Sequence, residues 1–282
     1  MVELGRINKL TVLTINPDGV ALGQAEADRA EDIYLPPNEI PNDCKVGDEI
    51  EAFIYLDSKN NRVATTKKVD AQVGEVAFLK VVEVNNVGAF LDWGLPKDLL
   101  VPFNQQRTKL LLGKSYLVYV YLDERTNRLA ASTKLNKFIS NSAHTYKKNQ
   151  AVELAIWEKT DLGYSTVINN KHWGLLYYGD VRKQLTTGQR LNGYIKNVRN
   201  DGKINLSLQP VGHANIDPLA AKIQQQLEEN NGFIPLSDKS PPELIFKHFG
   251  VSKKAFKMSV GSLFKKRLIT ISPEGISLVS KS

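Results

Sequence analysis

Cysteine is the residue this sequence most nearly lacks. Cys44 is the only one among 282 residues, which excludes an internal disulfide and any zinc site built on clustered thiolates, and fits a reducing compartment. Long apolar runs are missing too. No window nears the roughly 18 apolar residues that cross a bilayer, and the opening MVELGRINKL lacks the basic-then-apolar layout of a signal peptide. The chain is therefore expected to act in the cytoplasm, away from membranes. His144, His172, His213 and His248 are scattered without HExxH or other paired-ligand spacing, so each reads as a surface or packing histidine. There is no GxxxxGK[ST] and no strand-linked GxGxxG, so nothing supports phosphate-loop chemistry. Cys44 follows IPND with no histidine nearby in sequence, so no nucleophile pair is visible. No catalytic centre, metal or cofactor is expected.

What is present is positive charge, unevenly spread. Residues 1–70 hold 8 Lys and Arg against 13 Asp and Glu, a net of −5. Residues 71–139 hold 9 against 6 (+3), 140–213 hold 10 against 5 (+5), and 214–282 hold 10 against 6 (+4). That distribution fits a polyanionic partner for the later parts and not for the first. A solvated basic surface without a ligand has the same composition.

Internal repetition adds to this. VGDEIEAFIYLDSKNNRVATT from Val46, LGKSYLVYVYLDERTNRLAAS from Leu112 and TGQRLNGYIKNVRNDGKINLS from Thr187 share one skeleton. Each has a glycine, an alternating strand, a polar turn, and a basic residue opening a second alternating strand, which together read as a hairpin. The anchors Gly47, Gly113 and Gly188 lie 66 and 75 residues apart. Upstream, Gly5 precedes Gly19 by 14 residues and Gly74 precedes Gly88 by the same 14, with Gly163 in the equivalent place of the third unit. The strings that follow are GVAL, GAFL and GYST.

Units of this length, each with about five short strands, predict three small β-barrels in series. Closing a five-stranded sheet forces strands to coil sharply, and a residue without Cβ relieves the crowding at the bend. The expected fold is multidomain and mainly β: three tandem five-stranded OB-fold barrels over 1–70, 71–139 and 140–213, then a smaller α+β domain over 214–282.

The second unit, GEVAFLKVVEVNNVGAFLDWGLPKDLLVP with its hairpin, resembles the S1 RNA-binding domain over nearly all of residues 74–134. In that family an aromatic in the Gly-Ala-Phe strand stacks a base, and a basic residue opening the last strand contacts the backbone. By position the resemblance assigns these roles to Phe90 and Arg128, with Asp123 matching an acidic residue that often accompanies them. Stacking on an aromatic contributes about 1–3 kcal/mol per base and tolerates sequence variation, which suits single-stranded RNA. The family often has an aromatic before the bending glycine, where Val87 stands, and a histidine after the Gly-Leu-Val strand, where Pro102 stands. The first unit has Ala21 and Pro36 at the aromatic and histidine positions, leaving Arg62, and reads as a spacer or a protein-contact module. The third has Ser165 for the aromatic, Tyr177 for the histidine, and Lys203 opening its last strand, with Lys196 and Arg199 beside it. It is expected to bind through charge, with Tyr177 as one stacking platform. Phe90 and Tyr177 read equally as strand aromatics turned into a core, and Trp93 and Trp173 as packing residues.

After PVGHANIDP the alternation stops. PLAAKIQQQLEENNG predicts a helix with Asp217 as N-cap, Pro218 in first position and Gly232 as stop. A second helix is expected at SPPELIFKHFG and a third at SKKAFKMSVGSLFKKR, capped by Ser252, with Ala255, Phe256, Val260, Leu263 and Phe264 at helical spacing. LITISPEGISLV reads as strand, turn and strand, so the tail predicts a winged helix. Lys253, Lys254, Lys257, Lys265, Lys266 and Arg267 give its third helix a basic face, but few residues there are of a kind to read base edges.

The order of parts, with the phrases LGRINKL and SVGSLFKKRLI, is similar to the conserved virulence factor B family. That resemblance implies a cytoplasmic RNA-binding regulator of a Gram-positive-type bacterium, affecting gene expression after transcription. The competing reading makes the winged helix a DNA-binding transcription factor and the barrels protein-interaction modules. Linkers such as NKFISNSAHTY fit either a rigid or a loose chain.

Overall fold

A computed structural model describes residues 2–24, 32–140, 145–211 and 218–279. His144, His213 and the predicted cap Asp217 lie outside them. Two compact units divide the chain, Met1–Pro210 and Val211–Ser282.

The first unit holds three five-stranded sheets. The strands of the first are β1 (Ile7–Asn16), β2 (Gly19–Gly23), β3 (Ile33–Leu35), β4 (Glu49–Leu56) and β5 (Arg62–Thr65). They close into a barrel in the order β1-β2-β3-β5-β4, with β3 and β5 pairing in parallel. The third sheet repeats this: β11 (Ala151–Lys159), β12 (Gly163–Ile168), β13 (His172–Tyr177), β14 (Arg190–Val198) and β15 (Ile204–Ser207) form a closed barrel with β13 parallel to β15.

The second sheet departs from the expected closed ring. Its strands are β6 (Val76–Val84), β7 (Gly88–Asp92), β8 (Leu99–Pro102), β9 (Ser115–Asp123) and β10 (Arg128–Ser132), in the open order β10-β9-β6-β7-β8. No ladder joins β8 to β10. Instead the turn after β8 caps the end of β10. The Gln105 carbonyl accepts from the Thr133 amide at 3.0 Å, and its side-chain oxygen accepts from the Ser132 hydroxyl at 3.1 Å. A backbone bond and a side-chain bond thus link the turn after β8 to β10, where the other two sheets carry a parallel ladder.

The repeated glycines sit where the sequence argument put them. A Cβ on Gly88 would lie 2.3 Å from the Val101 carbonyl oxygen, and one on Gly163 2.2 Å from that of Leu176, so only glycine lets the neighbouring strand approach. The first strand of each sheet also breaks register once, between Val12 and Thr14, Val81 and Glu83, and Ile156 and Glu158. These bulges sharpen the bend that wraps β1, β6 and β11 around their cores.

The modules of this unit are joined by packing. Phe53 of β4 is fully buried and belongs to the core of the second sheet, where it meets Trp93 edge-on at 5.7 Å. Between the second and third sheets, Leu135 and Ile139 are buried and Phe138 stacks on Tyr119 at 4.5 Å. The described part of that linker is therefore held in place.

The second unit is the expected winged helix: α1 (Pro218–Glu229), α2 (Pro242–Phe249), α3 (Lys253–Lys265), and the hairpin β17 (Ile269–Ile271) and β18 (Ile276–Leu278). One short strand was not anticipated, β16 (Phe233–Ile234), which pairs with β18. The Ser252 hydroxyl accepts from the Ala255 amide at 3.3 Å, capping α3 as its position implied. Phe256, Val260 and Leu263 enter the core with Ser259, whereas Phe264 is 53% exposed. At 100° per residue, 256, 260 and 263 share one stripe, and 264 falls outside it.

Candidate nucleic-acid interface

Period 2 decides the orientation of Phe90. Ala89 and Leu91 on either side are fully buried, so Phe90 faces outward, half-buried, paired with Leu100 on β8. Ala21 and Ser165 take the equivalent places, opposite Tyr34 and Leu175. Pro102 and Tyr177 are also equivalent, since Gly88 pairs with one and Gly163 with the other. Tyr177 is half-buried beside the fully buried Leu176. Neither ring belongs to a core. Trp93 does, 3% exposed, and Trp173 packs on Trp157 at 4.7 Å. Among the exposed rings not singled out is Tyr34, 45% exposed in the first barrel. Its only signal was its place across the ladder from Ala21.

Phe90 lines a cavity of about 650 Å³ that also takes in Asp123 and Arg128. The fold thus gathers all three residues assigned to the second module. Asp123 organises the β9–β10 turn. Its carboxylate accepts from the amides of Thr126 at 3.0 Å and Arg125 at 3.1 Å. These bonds, the Thr126 amide foremost, hold it below the usual carboxylate range. Arg128 opens β10 and donates to the Asn60 side-chain oxygen, in the turn of the first barrel, at 3.1 Å.

Another cation of this groove, Lys97, escaped the sequence reading. Its ammonium donates to the carbonyls of Asp57 at 3.0 Å and Leu56 at 3.4 Å. Burial pushes its pKa down, and the charge of Arg128 adds to this. Asp98 is pushed up, by burial first and then by Asp92 and Glu83.

The third module gathers its cations differently. Lys196 donates to both oxygens of Asp180, at 2.9 and 2.8 Å. Arg199 and Lys203 share Asp201, at 3.1 and 3.6 Å. On α3 the lysines fall into two groups. Lys253 donates to the Lys239 carbonyl at 3.3 Å and Lys257 lies 3.9 Å from Asp238. Lys265, Lys266 and Arg267 are exposed at the other end, about 16 Å along the axis from Lys254 at 1.5 Å per residue. Between them the helix exposes Met258, and α2 exposes Phe246. Among the described residues no group of three or more His, Cys, Asp or Glu is placed to hold a metal ion, and none of their helices is long and apolar enough to cross a membrane.

OB-type sheets in series with a winged helix, carrying an outward ring and cations on one groove, define a modular nucleic-acid-binding protein. Family comparison agrees: the S1 domain matches residues 4–67 and 73–134, and the CvfB-like winged helix domain matches 221–278. Over most of its length the chain is also similar to proteins named conserved virulence factor B. It is 28% identical to conserved virulence factor B of Staphylococcus saprophyticus over 261 residues, covering 89% of this chain and 87% of the relative. Against the Staphylococcus epidermidis protein the identity is 27% over 279 residues, covering 96% and 90%. A crystal structure of a multidomain protein with nucleic acid binding domains from Streptococcus pneumoniae is 24% identical, with a TM-score of 0.40 over 98% of both chains.

Proposed function

We propose that the chain is a non-catalytic, cytoplasmic RNA-binding regulator that affects bacterial gene expression after transcription. In this reading the modules are 1–70, 71–139, 140–213 and 214–282. Single-stranded RNA lies across the second and third barrels. Phe90 stacks a base, Arg128 meets the backbone, and Asp123 holds the turn between them. Tyr177, Lys196, Arg199 and Lys203 extend the track, and Lys253, Lys254, Lys257, Lys265, Lys266 and Arg267 add basic area on the winged helix. The observation that carries the reading is Phe90, turned outward onto a groove that also holds Arg128. A ring and a cation on one open groove suit an unstacked strand better than a duplex.

Titration of single-stranded RNA and of duplex DNA at two salt concentrations tests it. RNA preference, with affinity falling as salt rises, is expected. Tight duplex binding would instead favour a DNA-binding regulator, although α3 itself contains no Asn, Gln or Arg to read base edges. Phe90→Ala should weaken RNA binding by about 1–3 kcal/mol and leave the thermal midpoint nearly unchanged. A large loss of stability would mark the ring as a packing element.

A further inference from the structure

The first barrel reads in the sequence as a spacer or a protein-contact module, because its stacking position is Ala21 and its net charge is negative. Its hairpin suggests otherwise. We infer that the RNA groove is built by two barrels: the β4–β5 hairpin of the first forms its second wall, and Lys97 joins Arg128 as a paired phosphate seat at the joint. This rests on the RNA-binding reading above and names how that site is made.

Tyr55 and Leu56, at the end of β4, line the same cavity as Phe90. That wall is fixed by three separate tethers: the Phe53–Trp93 ring contact at 5.7 Å, the Lys97 ammonium across the Leu56 and Asp57 carbonyls, and Arg128 on Asn60 at 3.1 Å. The hydrogen-bond acceptors of both cations are neutral oxygens. The nearby acid of this wall, Asp57, turns its carboxylate into its own turn, accepting from the Lys59 and Asn61 amides at 2.8 Å each. Two positive groups close enough to repel one another, hydrogen-bonded to carbonyl and amide oxygens and opposed only in part by the charge of Asp57, form a seat that an anion would relieve. Burial, and after it this repulsion, lowers the Lys97 pKa against the opposing charge of Asp57. A base on Phe90 and its phosphate on Lys97 and Arg128 would place the strand across the seam between barrels.

A single-stranded oligouridylate carrying 4-thiouridine, photo-cross-linked to the full chain and mapped by peptide mass, tests this without altering the protein. Cross-links are expected both in the peptide holding Phe90 and in the one holding residues 55–61. Cross-links at Phe90 alone would overturn the two-barrel site while sparing the RNA-binding reading. Cross-links in neither would overturn both. In the same titration, Leu56→Glu, which puts a carboxylate on the wall, should lower affinity about ten-fold, and Lys97→Gln about five-fold with a shallower salt dependence. Unchanged affinity in both variants, with the fold intact by circular dichroism, would also sink the proposal.

Discussion

The second barrel carries less net positive charge than the third, +3 over residues 71–139 against +5 over 140–213, yet it has the better-equipped surface. Two of its groove cations, Arg128 and Lys97, hydrogen-bond to neutral oxygens, on Asn60 and on the Leu56 and Asp57 carbonyls. In the third barrel Lys196, Arg199 and Lys203 each already face a carboxylate. The ring differs as well: Phe90 in one, Ser165 at the equivalent ladder position of the other. Formal charge measures the long-range field that draws a polyanion in. What a phosphate finds on arrival depends on whether each cation is already paired.

The largest expected effect tests the scaffold under that contrast. Trp93 is 3% exposed, touches Phe53 edge-on and donates its indole N–H to the Lys97 carbonyl at 2.8 Å. Trp93→Ala should cost about 3–5 kcal/mol in denaturant unfolding and loosen the loop that carries Lys97. Trp173 is only half-buried, and its indole nitrogen is buried without a hydrogen-bond partner. Trp173→Ala should therefore cost less. Equal losses would break the comparison, since the two rings would then anchor their modules alike.

A smaller effect would sharpen it. Ser165 lies on the outward face of β12, between the buried Tyr164 and Thr166. Ser165→Phe restores the ring that the second barrel has. If RNA already runs over the third barrel, this variant should gain about 1 kcal/mol in binding, the lower end for one stacked base. A binding isotherm identical to that of the unaltered chain would place the RNA elsewhere.

The features legible in the sequence were those set by local pattern. Glycine spacing and alternation located the equivalent positions correctly, because a strand has period 2 and a bend tolerates only glycine where the next carbonyl is about 2.3 Å from a would-be Cβ. The Ser252 cap and the α3 core stripe were readable for the same reason. The joint was not. Arg128 and Asn60 are 68 residues apart, and nothing near Lys97 in the chain announces the carbonyls it spans. The open seam of the second sheet depends likewise on Gln105 meeting Ser132 and Thr133 from 27 and 28 residues away. Nor could net charge show the pairing of Lys196 with Asp180: they are 16 residues apart, and only the closed barrel brings them together.

The smallest expected effect isolates the pairing itself. Asp201 accepts from the Lys203 amide at 3.2 Å through one oxygen and faces Arg199 and Lys203 through the other. Desolvation alone would raise its pKa, but the Lys203 amide and the two cations outweigh it and hold the carboxylate below its usual range. Asp201→Asn keeps the acceptor that shapes the turn and removes only the charge. Exposed pairs of this kind contribute little, so stability should hardly change. Affinity for single-stranded RNA should rise slightly, with a steeper salt dependence as two released cations meet phosphates. Weaker binding would mean that Asp201 positions Arg199 and Lys203 for the ligand, and that the contrast between the two barrels lies in the ring alone.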